Sequence, residues 1–357
     1  MEALTKLRDI QKANQSMICL GLDLDAKRMP SEFAGSLKGH FEFAQRMIEA
    51  TKDLVCAYKP NMAFYEHHGP EGLSLLRLII ERIPERVPVI LDAKRGDIGN
   101  TATHYAHAIF DCFRADWVTL APYMGYDSLK PFLDFKNKGA FVLCLTSNAG
   151  SKDFQYLNVD GKPLYRVVAE KVREWNRDNN CGLVVGATRP DELVELRGVA
   201  GTMPLLIPGV GAQGGSLEKA VLGGTNNFAQ TAVINVSRSV LYASNGDDFS
   251  RRAREELLKL NSAVNALRKK NGEPRDKPKE ALPPQVHSAP PPSQPAAPPQ
   301  QNQPQPAPAQ PEPPAQQHAH DGEPRPEPPV SPSSQQSHGS ESSPDSASSG
   351  PDDQSHS

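Results

Sequence analysis

Short apolar runs alternate with amphipathic stretches along the first 270 residues, and each kind keeps its own period. Runs at 16–23 (SMICLGLD), 53–60 (DLVCAYKP), 87–94 (VPVILDAK), 116–122 (DWVTLAP), 139–146 (GAFVLCLT), 182–188 (GLVVGAT), 203–209 (MPLLIPG) and 231–237 (TAVINVS) read as eight strands. FEFAQRMIEATK, GLSLLRLIIERI, NTATHYAHAIFDCF and LYRVVAEKVREWNRD, lying between strands, read as helices, and a final helix is predicted over 248–270. Eight such units in roughly 250 residues match the count and size of a TIM (β/α)8 barrel. A doubly wound open sheet has the same alternation and stays open at this point. No repeat of short fixed period is present, which argues against a solenoid.

From Asn271 the pattern stops. Residues 271–357 hold 23 of the 34 prolines, no Phe, Trp or Tyr, and only Leu282, Val286 and Val330 as large aliphatic residues. Such a segment buries too little apolar surface to offset its ordering entropy, so two regions are expected: a folded domain over 1–270 and a disordered Pro/Gln/Ser-rich tail over 271–357. PxxP spellings such as PPPSQP could enter an SH3-like groove, but this composition makes them inevitable. Residues 1–270 carry 35 basic and 31 acidic side chains, a balance suited to small anions and too even to argue for nucleic acid. The five cysteines lie in the folded part without a CxxC pair, which predicts reduced thiols in a cytoplasm. Neither a leader-like N-terminus nor a membrane-length apolar run is apparent, so a soluble chain is expected.

Charge concentrates where the third apolar run ends, in LDAKRGDIGN (91–100). Residues two apart share a strand face, so Asp92 and Lys94 should project together at the barrel mouth, with Asp97 following in the loop. A lysine between two carboxylates stays protonated and is a proton donor rather than an amine nucleophile. The motif alone fits a catalytic array and an ion-pair network closing the mouth equally well. Polar residues recur where other strands end, at Asp23, Lys59, Ser147, Gln213 and Arg238, and barrel enzymes place their chemistry on that face.

PGVGAQGG (208–215) spells GxGxxG after the seventh strand, with no Asp or Glu between Lys219 and Ala243 to hold a ribose. A phosphate loop whose backbone amides face the anion, with Arg238 as charged partner, fits better than a dinucleotide site. A Gly-rich turn beside a surface arginine is the plain alternative. His67, His68, His104 and His107 match no strong zinc spacing, so no metal is expected.

With these residues assembled, the chain resembles the orotidine 5'-phosphate decarboxylases, in particular the bacterial subgroup with LDAKRGDIGNTA. GLD (21–23), YKPNMAFYE (58–66), LTSNAGS (145–151), VVGAT (184–188), IPGVGAQGG (207–215) and NVSRS (235–239) carry the resemblance over residues 1–265. It implies a homodimer of TIM barrels that converts orotidine 5'-phosphate to UMP and CO2 in pyrimidine biosynthesis, without metal or organic cofactor. Lys59, Asp92, Lys94 and Asp97 would form the charged array, with Lys94 protonating C6, Asp92 facing the departing carboxylate, and Asp97 and Thr101 entering the partner's site. Asp23 would meet ribose and Ser147 the pyrimidine amide edge. Gln213 and Arg238 would hold phosphate, and Pro208 and Ser237 complete the substrate-binding set. Two alternatives remain. A 3-keto-L-gulonate 6-phosphate decarboxylase shares DxKxxD but uses magnesium and an acidic residue at the position of Lys59. A non-catalytic phosphate-binding barrel could use the tail to recruit partners.

Overall fold

The structure is a computed structural model and describes residues 2–211, 214–225 and 232–270; the predicted tail, 271–357, lies outside the described residues. Eight strands are laid down at β1 (Ile18–Gly21), β2 (Ala57–Lys59), β3 (Ile90–Arg95), β4 (Trp117–Leu120), β5 (Gly139–Leu145), β6 (Cys181–Val185), β7 (Leu205–Pro208) and β8 (Ala232–Val236). Each coincides with one of the eight apolar runs. Seven neighbouring pairs are parallel, in the order β2, β1, β8, β7, β6, β5, β4, β3. The gap between β2 and β3 is closed by backbone bonds: Tyr58 N–H donates to the Pro88 carbonyl at 3.0 Å and Asp92 N–H to the Pro60 carbonyl at 2.9 Å. That closure makes a TIM barrel and removes the open-sheet alternative.

Helix α1 (Ala3–Ala13) precedes the barrel, and one long helix follows each strand: α2 (Leu37–Thr51), α3 (Gly69–Arg82), α4 (Gly99–His107), α5 (Tyr126–Leu133), α6 (Leu164–Trp175), α7 (Pro190–Ala200), α8 (Leu217–Gly224) and α9 (Phe249–Lys270). Parallel strands covered by helices bury both faces, which is why β1, β4, β6 and β8 are buried at every residue. Helix α1 lies across the end where the strands begin. Its Lys6 pairs with Asp116 at 2.7 Å and its Gln11 amide donates to the Ala232 carbonyl at 2.7 Å. The stretch predicted as one helix over 100–113 is α4 followed by a widened π turn, Ala108–Cys112. Consecutive Ile109 and Phe110 in that turn both face the core.

Candidate active site

All eight strands deliver their C-terminal residues to one mouth, where a cavity of about 330 Å³ opens. Of the expected site residues, Asp23, Lys59, Asp92, Lys94, Ser147, Pro208, Ser237 and Arg238 line it. Leu143, Val184 and Leu206 supply its apolar wall. Asp97 and Thr101 are not among the lining residues of their own chain, and the Asp97 carboxylate accepts the neighbouring Ile98 N–H at 2.8 Å. Gln213 lies outside the described residues.

The charged group is built around one carboxylate. Asp92 Oδ2 accepts from Lys59 Nζ at 2.7 Å and Asp92 Oδ1 from Lys94 Nζ at 2.6 Å. Lys59 is buried, at 4% exposure, whereas the Lys94 side chain is half exposed at 49%. Burial alone would raise the Asp92 carboxyl, yet the charges and hydrogen bonds of Lys59 and Lys94 outweigh it and hold the group well below the usual carboxylate range. Burial alone would likewise lower Lys59, and the Asp92 and Asp23 carboxylates overcome that and hold it above the ordinary lysine value. Lys59 and Asp92 therefore both stay ionised throughout the neutral range.

Plain strand alternation is not what brings Asp92 and Lys94 together. The register between β3 and β4 shifts between Leu91 and Arg95, and Lys94 sits in the left-handed region at φ 49°. Thr119 of β4 occupies the gap, accepting the Lys94 N–H at 2.9 Å and donating to Asp92 Oδ1 at 2.9 Å. Thr119, Asn61 and Asn235 also line the cavity and were not singled out from sequence. A polar residue near the end of an otherwise apolar strand, as in WVTL, was the available signal for Thr119.

Asp23 follows β1 in a loop held by two tyrosines. Tyr65 donates to the Leu22 carbonyl at 2.8 Å, and Tyr242 donates to the Asp23 carbonyl at 2.7 Å while accepting the Asp25 N–H at 2.7 Å. Asp23 Oδ1 has no partner among the described residues, so an acceptor is left for a hydroxyl. Gly21 permits the ends of β1 and β8 to meet here, because a Cβ would fall 2.0 Å from Ser237 Oγ. After β5, the Gln155 side chain fixes the Thr146–Asn148 segment by accepting the Thr146 N–H at 2.8 Å and donating to Thr146 Oγ1 at 2.9 Å.

The Gly-rich turn after β7 is described in part, since 212–213 lie outside the described residues. Gly209 takes φ 96°, which favours glycine, but the Gly211, Gly214 and Gly215 amides donate to carbonyls of the turn itself, at 3.0, 2.8 and 3.0 Å. Those three donors are spent on shaping the loop. The cation at this end of the cavity is Arg238, an exposed side chain just past β8. One end of the cavity thus suits an anion, and the other sets two ammonium groups around a single carboxylate. Such an array can stabilise electron density developing on a bound carbon and deliver a proton to it.

A sequence model of the orotidine 5'-phosphate decarboxylase / HUMPS family matches residues 16–252. The orotidine 5'-phosphate decarboxylase of Cupriavidus metallidurans is 48% identical over 259 residues, covering 71% of this chain and 94% of that protein. Its counterpart in Herpetosiphon aurantiacus is 51% identical over 252 residues, covering 70% and 93%. Among solved structures, the Leishmania donovani OMP decarboxylase superposes with a TM-score of 0.67 at 40% identity, covering 75% of this chain and 99% of that one. The barrel, its charged mouth and these relatives agree, and the chain belongs to the orotidine 5'-phosphate decarboxylase / HUMPS family.

Proposed function

We propose that this protein is a carboxy-lyase that converts orotidine 5'-phosphate to UMP and CO2 in pyrimidine biosynthesis. The observation that carries the reading is the Lys59–Asp92–Lys94 array at 2.7 and 2.6 Å inside the barrel mouth. The bond from C6 of the pyrimidine to its carboxylate breaks, CO2 departs, and the electron pair remains at C6. The Lys94 ammonium beside that carbon stabilises the charge and gives up its proton to form the C6–H bond; the neutral amine then regains a proton from water. Asp92 fixes both ammonium groups and faces the departing carboxylate. Asp23 meets the ribose, Ser147 the pyrimidine amide edge, and Pro208, Gln213, Ser237 and Arg238 enclose the phosphate.

Asp97 and Thr101 are assigned to the site of a second copy in a homodimer. Support comes from their place outside their own chain's cavity and from the exposed apolar side chains around them: Ile98 at 60%, Tyr123 at 89% and Met124 at 45%. Backbone contact between Ala121 and Arg95 puts the loops carrying these residues side by side. Five free thiols, four of them buried, support a reducing, cytoplasmic setting. Among the described residues, no helix is long and apolar enough to cross a membrane. Residues 1–270 are assigned as the catalytic domain, with no part in turnover for the tail. A magnesium-dependent gulonate-type decarboxylation is disfavoured by Lys59, whose buried ammonium repels a cation at the position where those enzymes carry an acid. The test is the absorbance change of orotidine 5'-phosphate incubated with EDTA-treated protein: turnover to UMP supports the reading, and an unchanged spectrum at high enzyme concentration refutes it.

A further inference from the structure

We infer that Thr119 is a positioning residue for the proton donor, acting through both Asp92 and the backbone of Lys94. This deepens the proposed function and rests on it. Lys94 is a problem that packing does not solve, because half of its side chain is exposed and its backbone occupies the left-handed region at φ 49°, unfavourable for a residue with a Cβ. It is tethered instead at its two ends. Its N–H donates to Thr119 Oγ1 at 2.9 Å, and its Nζ donates to Asp92 Oδ1 at 2.6 Å. Thr119 reaches the second tether as well, through the 2.9 Å bond to the same Asp92 oxygen.

The direction of each bond follows from the chemistry of the groups. A backbone N–H can only donate and an ionised carboxylate can only accept. The threonine hydroxyl, with one proton and two lone pairs, must therefore accept from Lys94 and spend its single proton on Asp92. Thr119 is 1% exposed, so bulk water does not compete for its hydroxyl. Its backbone sits where β3 and β4 slip register, between the pairs Leu91–Val118 and Arg95–Leu120, so the side chain supplies the connection that the interrupted ladder omits. One buried hydroxyl thus sets the bulge that launches Lys94 and the rotation of the carboxylate that aims its ammonium.

Thr119→Val keeps the shape and removes the hydroxyl. It should lower kcat on orotidine 5'-phosphate by between about tenfold and a hundredfold, while KM and the UMP dissociation constant stay within about threefold of wild type. Thr119→Ser restores the hydroxyl and should return kcat to within about threefold. Thr119→Cys is made in parallel, as a similarly sized side chain with a weak donor, and is read by the valine thresholds should the valine variant fail to fold. A folded valine or cysteine variant with kcat within about twofold of wild type would overturn the inference, as would a loss spread equally over kcat, KM and UMP binding or a serine variant as slow as valine. Wild-type protein that releases no CO2 from the substrate overturns the proposed function itself, and this inference with it. Normal wild-type turnover beside an unaffected valine variant overturns this inference alone.

Discussion

Replacing Lys59 by methionine removes a buried ammonium while keeping most of its volume, and the cost can be worked from its surroundings. At 2.7 Å from Asp92 and an effective dielectric of about 20, the gross attraction is roughly 6 kcal/mol. Much of that is offset by the desolvation of both ions. The quantity that matters is the penalty of leaving Asp92 short of a partner, about 3–5 kcal/mol for a broken buried pair. Lys94 and Thr119 still bond to the other carboxylate oxygen, which favours the lower end, about 3 kcal/mol. For a domain of this size that corresponds to a Tm lowered by roughly 6–12 °C. Guanidinium unfolding near neutral pH should show a lower midpoint at an unchanged slope. Lys59→Met combined with Asp92→Asn removes both buried charges, and it should recover at least about 1.5 kcal/mol of the loss, since Lys94 is exposed enough for water to serve it. A loss under about 1 kcal/mol for Lys59→Met, or a double variant less stable than the single one, would refute this account of the buried pair.

Inactive Lys94→Ala and Asp97→Ala proteins, mixed so that subunits exchange, should regain about a quarter of wild-type activity, because half the dimers are mixed and half their sites are intact. No recovery in mixed dimers verified by mass spectrometry would return Asp97 to its own chain. A chain ending at Lys270 should keep kcat and Tm, and a Tm lowered by more than about 4 °C would show that the tail contributes to the folded domain. Burial lowers the His40 and His68 imidazoles, so the unfolded chain binds more protons than the folded one just below the ordinary histidine pKa. Their contribution is complete above about pH 6.5 and is lost as pH falls through the folded values. Tm should therefore fall between about pH 7.5 and 5.5, and by less in His40→Leu; an equal fall in that variant would acquit His40.

The strands could be read from sequence because strands buried between a barrel interior and a helical shell are continuous apolar runs. Closure could not, since it is made by the backbone at Tyr58 and Asp92, to which side-chain pattern is blind. The hairpin Asn158–Val159/Lys162–Pro163 was missed although Asp160 and Gly161, at φ 51° and 82°, are the residue types that such a two-residue turn selects. Asp92 and Lys94 were paired correctly for an incomplete reason: alternation places them on one face, whereas the structure joins them across a bulge that Thr119 bridges. The Gly-rich turn was recognised, but sequence does not reveal that the Gly211, Gly214 and Gly215 amides donate within the loop. Asp97 and Thr101 illustrate a different limit, because one chain's geometry shows only that they lie outside its own cavity.

Lys94→Ala tests the central claim most directly, since it removes the ammonium from the array and leaves Arg238 and Asp23 in place. Turnover of orotidine 5'-phosphate and binding of UMP are measured on the same preparation. The account predicts that kcat falls by at least about a thousandfold while UMP still binds measurably. Retention of more than about a tenth of kcat, a loss under about 1.4 kcal/mol of transition-state stabilisation, would contradict the assignment of Lys94 as the proton donor.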